Sequence, residues 1–128
     1  MDDIKRLGDA ELEIMQIVWA QPYTVTSKEI LQNLTQRKWK LSTLMTTLAR
    51  LVDKGFLVCD RSTGTNLYSR KIEENDYKIN ESRQLLQKLH GNSLQSLVTC
   101  LCDTDSVDMA TITTLREYLD SFTGEQNG

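Results

Sequence analysis

Apolar residues recur at helical spacing through residues 1–55 and predict three short helices there. Asp9 is expected to be the N-cap of the first helix, and Pro22 is expected to end it, because proline cannot continue a helix. The apolar face of this helix comprises Leu12, Met15, Val18 and Trp19. The polar positions between them are expected to face solvent: Glu11, Glu13 and Gln16.

The second helix is predicted from a capping box, in which Thr26 caps the helix and Glu29 reaches back to it. Ile30 and Leu34 give this helix an apolar face. The third helix carries an apolar stripe along one side, formed by Leu41, Leu44, Leu48, Leu51 and Val52. Gly55 follows where the glycine at a helix C-terminus belongs.

The residues after Gly55 change from helical to alternating spacing. Phe56 and Val58 alternate with Leu57 and Cys59, as the two faces of a strand do. Residues 62–64 (STG) are typical of a turn, and "TNLYSRKI" over 65–72 resumes a strand-like pattern. Three helices followed by a β-hairpin predict an N-terminal winged helix-turn-helix domain over residues 1–72 of a mainly α protein.

From Glu73 onward the pattern is helical again, with three successive apolar stripes. They are Leu85, Leu86 and Leu89; Leu94, Leu97, Val98 and Leu101; and Ile112, Leu115, Leu119 and Phe122, the last in a helix capped by Ser106. Each stripe is too apolar to face water and has no evident core of its own, so burial against a second copy of the chain is expected. This predicts a helical dimerisation domain over 73–123 and a disordered tail over 124–128. Its interface is expected to comprise Leu97, Leu101, Ile112, Leu115, Leu119 and Phe122.

The net charge of −3 conceals two electrostatic halves. Residues 28–71 hold nine basic and three acidic residues, a net charge of +6. Residues 72–128 hold four basic and ten acidic residues, a net charge of −6. Only the first of these segments has the positive charge that is typical of binding to a polyanion such as DNA.

The side of the third helix opposite its leucines is expected to present Thr43, Thr46, Thr47, Arg50 and Lys54, with Ser42 and Met45 near its edge. The major groove of DNA admits an α-helix, hydroxyl groups bond to bases or phosphates, and a threonine methyl contacts a thymine methyl. Threonine lowers helix propensity, so a merely solvated face would more naturally carry Glu, Lys and Gln. The pattern therefore predicts a DNA-recognition helix, with Arg50 and Lys54 placed for backbone phosphates.

Two further groups of residues suit sugar–phosphate contacts. The hairpin, acting as a wing, carries Arg61, Thr63, Thr65, Arg70 and Lys71. Around the second and third helices lie Lys28, Arg37, Lys38 and Lys40. Each of these positions, taken singly, suits a solvated surface equally well. A winged helix that docks a protein instead of DNA is therefore the alternative function.

The stretches "LGDAELEIMQIVWAQ", "TSKEILQNL", "WKLSTLMTTLARLVDKGFL" and "NLYSRKIEENDY" resemble the BlaI/MecI/CopY family of bacterial penicillinase and copper repressors. The resemblance runs from Leu7 to Phe122 and rests most on the frame of Trp39, Thr43, Thr46, Arg50, Leu51, Lys54 and Gly55. It implies a homodimeric repressor with interlocked C-terminal helices, bound to a palindromic operator in double-stranded DNA and involved in antibiotic resistance. It also implies that Thr43, Thr46 and Arg50 contact the DNA.

Three departures from the family pattern bear on recognition and release. Ser42 and Met45 stand where β-lactam-responsive members carry Lys and Arg, so the operator sequence does not carry over. Those members answer to a membrane sensor-protease system and are cut at an Asn–Phe bond, for which this chain has Cys100–Leu101. Copper-responsive members end in two Cys-x-Cys pairs, whereas this chain has Cys100 and Cys102 inside a predicted helix, where their side chains point about 200° apart. The sequence does not distinguish among proteolysis, a metal and a small ligand as the signal that releases the repressor from DNA.

Other classes of protein are disfavoured by what the sequence lacks. No G-x-S-x-G, P-loop or H-E-x-x-H motif occurs, so we expect neither an enzyme nor a cofactor. No apolar run approaches the roughly 20 residues that span a bilayer, and the N-terminus has no signal-peptide pattern. With three cysteines, an odd number, the chain is expected in the cytoplasm with its thiols reduced.

Overall fold

The computed structural model describes residues 4–34, 38–103 and 107–127, with side chains as far as residue 122. Six α-helices and three β-strands occur within these ranges. In chain order they are α1 (Asp9–Ala20), β1 (Val25–Thr26), α2 (Ser27–Asn33), α3 (Leu41–Asp53), β2 (Leu57–Asp60), β3 (Leu67–Arg70), α4 (Glu74–His90), α5 (Leu94–Cys102) and α6 (Met109–Asn127). The predicted mainly α fold, a winged helix followed by further helices, is confirmed.

The three strands form one antiparallel sheet in the order β1–β3–β2. β2 and β3 are the arms of the predicted hairpin, with Cys59 opposite Tyr68. β1 pairs with the other edge of β3, where Val25 lies opposite Tyr68. Sequence patterns do not reveal β1, because two residues are too few to show alternation. Its pairing makes β3 the central strand and joins the wing to the start of α2.

One hydrophobic core holds α1, α2, α3 and the sheet together. Its most deeply buried side chains come from all three helices and from the start of the hairpin: Ile14, Met15, Ile30, Leu44, Leu48, Leu51, Phe56 and Leu57. The predicted apolar faces of the three helices are therefore largely correct. Leu41 is the exception: it is 56% exposed, because it stands at the first position of α3, before the helix reaches the core.

The ends of the first three helices follow local capping chemistry. Gly8, not Asp9 as predicted, is the N-cap of α1, and its N–H donates to Oε1 of Glu11 over 2.8 Å. The predicted capping box of α2 is confirmed, with Glu29 N–H donating to Thr26 Oγ1 and Thr26 N–H donating to Glu29 Oε1. Gly55 ends α3 with a φ of +84°, in the left-handed region that glycine tolerates.

The first turn of α4 belongs to the same core as the winged helix. Tyr77 is buried, its ring lies 5.7 Å from that of Trp19 and 5.6 Å from that of Phe56, and its hydroxyl accepts the Leu7 N–H. The first compact unit accordingly extends to Ser82, beyond the boundary expected at residue 72.

The second compact unit begins at Arg83 and contains the rest of α4 with α5 and α6. Ser106, the predicted cap of the last helix, lies outside the described residues. α6 begins instead after Asp108, whose carboxylate accepts the Thr111 N–H over 2.8 Å. The backbone of α6 is helical to Asn127, which differs from the disordered tail predicted over 124–128.

Candidate nucleic-acid interface

The buried residues of α3 show which side of the helix faces outward. Leu44, Thr47, Leu48 and Leu51 are buried against the core. The centre of the opposite side is formed by Ser42, Thr46 and Ala49, which are all exposed. This face is rotated by about a quarter of a turn from the one predicted from the sequence, which centred on Thr43, Arg50 and Lys54.

Thr47 lies on the inner side of α3, and the prediction that it faces outward is wrong. It is 4% exposed, and its hydroxyl donates to the Thr43 carbonyl over 2.8 Å. A threonine that bonds back to its own helix can be buried at little cost, because no polar group is left without a partner. Met45 is half-buried and lines a groove between α3 and the wing, together with Cys59 and Tyr68.

Lys54 is also turned inward. Its ammonium lies 2.7 Å from Oε1 of Glu11 and 3.3 Å from the Arg6 carbonyl oxygen. Glu11, predicted to face solvent, is only 7% exposed and receives the Gly8 N–H as well. Lys54 thus holds the end of α3 against the start of α1. This ion pair competes with the predicted phosphate contact of Lys54, which stays a prediction.

The pKa of Glu11 reflects this environment. Burial alone would raise the pKa of the carboxyl group, and this is the largest single influence on it. The hydrogen bonds from Lys54 and Gly8, with the positive charges of Lys54 and Arg50, together outweigh burial and lower the pKa below its ordinary value. Glu11 is therefore ionised at neutral pH and forms an ion pair with Lys54.

Arg70 is engaged inside the domain and does not project from the wing. Its guanidinium donates to the carbonyl oxygens of Val18 and Gln21, at the end of α1, and lies 3.6 Å from the Glu73 carboxylate. Arg70 therefore anchors β3 to α1. Its predicted contact with the DNA backbone stays a prediction, and it would require both helix-end carbonyls to lose their donor, because the side chain would have to turn outward.

Several predicted cations do lie on the surface. The exposed basic residues in or next to α2, α3 and the wing are Lys28, Lys38, Lys40, Arg50, Arg61 and Lys71. Arg37 lies outside the described residues. The wing turn is ordered by Asp60, whose carboxylate accepts the Ser62 N–H over 2.9 Å and has its pKa lowered by that bond. Arg61, Thr63 and Thr65 are exposed along this turn.

Of the predicted residues that stay at the surface, Lys28 lies on α2 and Lys40 directly before α3. On α3 and in the wing lie Ser42, Thr43, Met45, Thr46, Arg50 and Arg61. Ala49 joins them and was missed, because alanine gives no chemical signal in a sequence. The burial of Thr47 and the Glu11–Lys54 pair were also missed. A helical wheel centred on the three buried leucines of α3, without Leu41, would have indicated the correct face.

The predicted dimerisation residues lie on α5 and α6 of the second unit. Leu101, Leu115, Leu119 and Phe122 are 40% to 49% exposed, and Leu97 and Ile112 are half-buried. Tyr118 was not predicted but is 60% exposed and packs edge-to-face against Phe122 at 4.8 Å. The single chain thus leaves a large apolar surface on this unit.

The candidate metal and cleavage residues lie at the end of α5. Cys100, Leu101 and Cys102 are all exposed. Among the residues that the structure describes, no three or more His, Cys, Asp or Glu side chains are grouped so that they could hold a metal ion. No described helix combines the length and hydrophobicity that a bilayer-spanning segment needs.

The chain is similar in sequence to known proteins. A sequence model of the penicillinase repressor family matches residues 7–121. The chain is 28% identical over 121 residues to the penicillinase repressor of Bacillus licheniformis, covering 94% of both chains. It is 27% identical over 113 residues to the methicillin resistance regulatory protein MecI of Staphylococcus aureus (strain N315), covering 88% of this chain and 92% of the relative.

Two solved structures are similar to part of the chain. One is the DNA-binding domain of the repressor BlaI, with a TM-score of 0.51. The other is the monomeric form of B. licheniformis BlaI in complex with the blaP half-operator, with a TM-score of 0.50. Each is 32% identical and covers 60% of this chain and 94% of the solved chain.

Proposed function

The chain belongs to the penicillinase repressor family, and we propose that it represses transcription in the cytoplasm as a homodimer bound to a palindromic operator. In this proposal α3 of each protomer enters the major groove, and the wing around Arg61 lies against the neighbouring backbone. The two copies of α3 read two half-sites, so the symmetry of the operator mirrors that of the dimer.

The observation that carries this proposal is the surface around α3. Its centre presents Ser42, Thr46 and Ala49, and exposed cations flank it at Lys40 and Arg50. Hydroxyl and methyl groups over the bases, with cations toward the phosphates, are one arrangement by which a helix reads the major groove. The known complex of B. licheniformis BlaI with the blaP half-operator supports DNA as the partner of this surface.

The dimer is supported by the apolar surface of α6. Leu115, Tyr118, Leu119 and Phe122 are each at least 40% exposed in the single chain. Contiguous exposed apolar residues of this kind are typical of a protein–protein interface. We therefore propose that α5 and α6 of two protomers bury these residues against each other.

Footprinting tests the proposal directly. Purified protein is added to the DNA upstream of its own gene, and the duplex is cleaved with DNase I. We expect a protected region with two-fold symmetry, whose half-sites are spaced by whole turns of the double helix. Protection without symmetry, or none below the concentration that covers random DNA, would contradict the proposal.

Arg50→Ala tests the phosphate contact. We expect the affinity for the operator and for random DNA to fall by a similar factor, about tenfold, because a phosphate contact carries no sequence information. The slope of log affinity against log salt should fall by about 1.8 for a dimer that loses two such contacts. Arg83→Ala, which removes an exposed arginine of α4, is the control and should bind normally. An unchanged salt slope in Arg50→Ala would remove this residue from the interface.

The rival function is protein docking by the same winged helix. It predicts weak DNA binding that hardly depends on salt, since no phosphates would be neutralised. The solved half-operator complex of a relative favours the DNA-binding function.

Three signals could release the repressor from its operator. They are cleavage at Cys100–Leu101 by a membrane sensor-protease system, the binding of a metal, and the binding of a small ligand. Both Cys100 and Cys102 are exposed and accessible to a titrated metal. Titration with Cu(I) or Co(II), read by thiolate-to-metal absorbance, separates the metal hypothesis from the others. A band that saturates at a fixed stoichiometry would favour it, and the absence of a band would exclude it.

A further inference from the structure

Between Lys40 and Arg50, α3 carries no charged side chain. The exposed polar or small side chains of this stretch are Ser42, Thr43, Thr46 and Ala49, with the half-buried Met45 at their edge, and the exposed cations Lys40 and Arg50 lie at its two ends. The usual reader of guanine is an Arg or Lys side chain that donates to the O6 and N7 acceptors of the base. No such side chain stands at the centre of this face.

Thr46 is the central side chain, and its hydroxyl hydrogen is already in use. Oγ1 of Thr46 donates to the Ser42 carbonyl oxygen over 3.0 Å. A hydroxyl has one hydrogen, so Thr46 has none left to donate to a base. What it offers an outside partner is an oxygen lone pair and a methyl group.

Ala49 extends this apolar surface along the helix. It is exposed, and it lies three residues after Thr46, so the two side chains are neighbours on one face. Two methyl groups side by side, with no donor between them, form a patch that water solvates poorly. In the major groove, the complementary apolar group is the C5-methyl of thymine.

We infer that Thr46 and Ala49 recognise thymine methyl groups, so that each operator half-site has A·T pairs where the centre of α3 meets the groove. This inference rests on the proposed function, since it assumes that α3 enters the major groove. The neighbouring adenine N6 amino group can donate to the free lone pair of Thr46. An A·T pair therefore satisfies both groups that Thr46 presents.

Deoxyuridine provides the test, because it differs from thymidine only by the missing methyl group. The footprinted operator duplex is compared with the same duplex in which the thymines of both half-sites are replaced by deoxyuridine. Loss of a buried methyl contact weakens binding by about fourfold at each half-site, so we expect about a tenfold loss or more for the dimer. Random DNA with and without uracil controls for general effects of the base.

Two variants of Thr46 separate the methyl group from the hydroxyl. Thr46→Ser removes the methyl, and we expect it to bind the thymine operator about as weakly as the wild type binds the uracil operator. Thr46→Val keeps the methyl and loses the oxygen acceptor, so we expect it to keep the difference in affinity between thymine and uracil operators while binding both more weakly than wild type. Thr113→Ser makes the same change at an exposed helical threonine of α6 and should leave binding unaltered.

The outcomes distinguish this inference from the proposed function. Tight, operator-specific binding that is the same for thymine and uracil duplexes would overturn the inference and leave the repressor function standing. Binding that requires the thymine methyls in the wild type but not in Thr46→Ser would establish it. The absence of any preference for the operator over random DNA would overturn both.

Discussion

We expect Leu115→Asp to convert the proposed dimer into monomers and to weaken operator binding at least a hundredfold. Leu115 is 40% exposed in the single chain, beside Leu119 and Phe122 on α6. An aspartate buried there against a second copy would place an unpaired charge in an apolar interface, at a cost of about 3 kcal/mol or more. A monomer binds one half-site only and loses the gain that comes from linking two.

Thr113→Asp is the matched control for this variant. It adds the same charge to the same helix at an exposed position, away from the apolar side formed by Leu115 and Leu119. Sedimentation velocity should report a dimer for the wild type and Thr113→Asp, and a monomer for Leu115→Asp. A dimeric Leu115→Asp protein would place the interface elsewhere on the chain.

We expect Lys54→Ala to lower the free energy of unfolding by about 2–3 kcal/mol. The substitution removes the ion-pair partner of Glu11, a residue that is only 7% exposed, and leaves its carboxylate with the Gly8 N–H as a donor. Urea denaturation provides the measurement. Lys71→Ala, at an exposed lysine beyond β3, should change stability by less than about 0.5 kcal/mol. If both variants lost the same free energy of unfolding, the Glu11–Lys54 pair would contribute no more to stability than an exposed lysine does.

The pH dependence of Lys54→Ala follows from the pKa of Glu11. In the wild type this pKa lies below its ordinary value of 4.5, so the pair stabilises the fold above about pH 4.5, and this stability is lost as the pH falls through the lowered pKa. In Lys54→Ala burial is no longer outweighed, and the pKa of Glu11 should rise above its ordinary value. The variant then regains stability when Glu11 becomes protonated. The gap between the two proteins should therefore be largest at pH 7 and smaller at pH 4.

The elements of the winged helix could be predicted because each depends on neighbouring residues. The capping box of Thr26 and Glu29, the glycine at position 55 and the alternation after it are all signals within a few residues. The helix boundaries from these signals were correct to within about one residue, as at Gly8. β1 was not predicted, because its two residues are too few to show the alternation of apolar and polar side chains that marks a strand.

The surroundings of the candidate DNA-contacting side chains were predicted less accurately, because they depend on contacts distant in sequence. Lys54 meets a carboxylate 43 residues away, and Arg70 meets a carbonyl 52 residues away. Both are cations in a basic segment, and nothing in their neighbourhood distinguishes them from Arg50 or Arg61. The side of α3 that packs on the core also includes Thr47 and leaves Ala49 exposed, which the sequence prediction did not anticipate. These differences leave fewer free charges around α3 and place Thr46 at the centre of its exposed face.

The most direct test of operator recognition is fluorescence anisotropy with the full chain at several salt concentrations. One labelled duplex carries the DNA upstream of the gene, and a second of equal length carries random sequence. We predict tight binding to the first, several hundredfold or more above the second, with log affinity falling steeply as log salt rises. Weak binding to both duplexes, with little dependence on salt, would contradict operator recognition and would assign the surface around Thr46 to a protein partner.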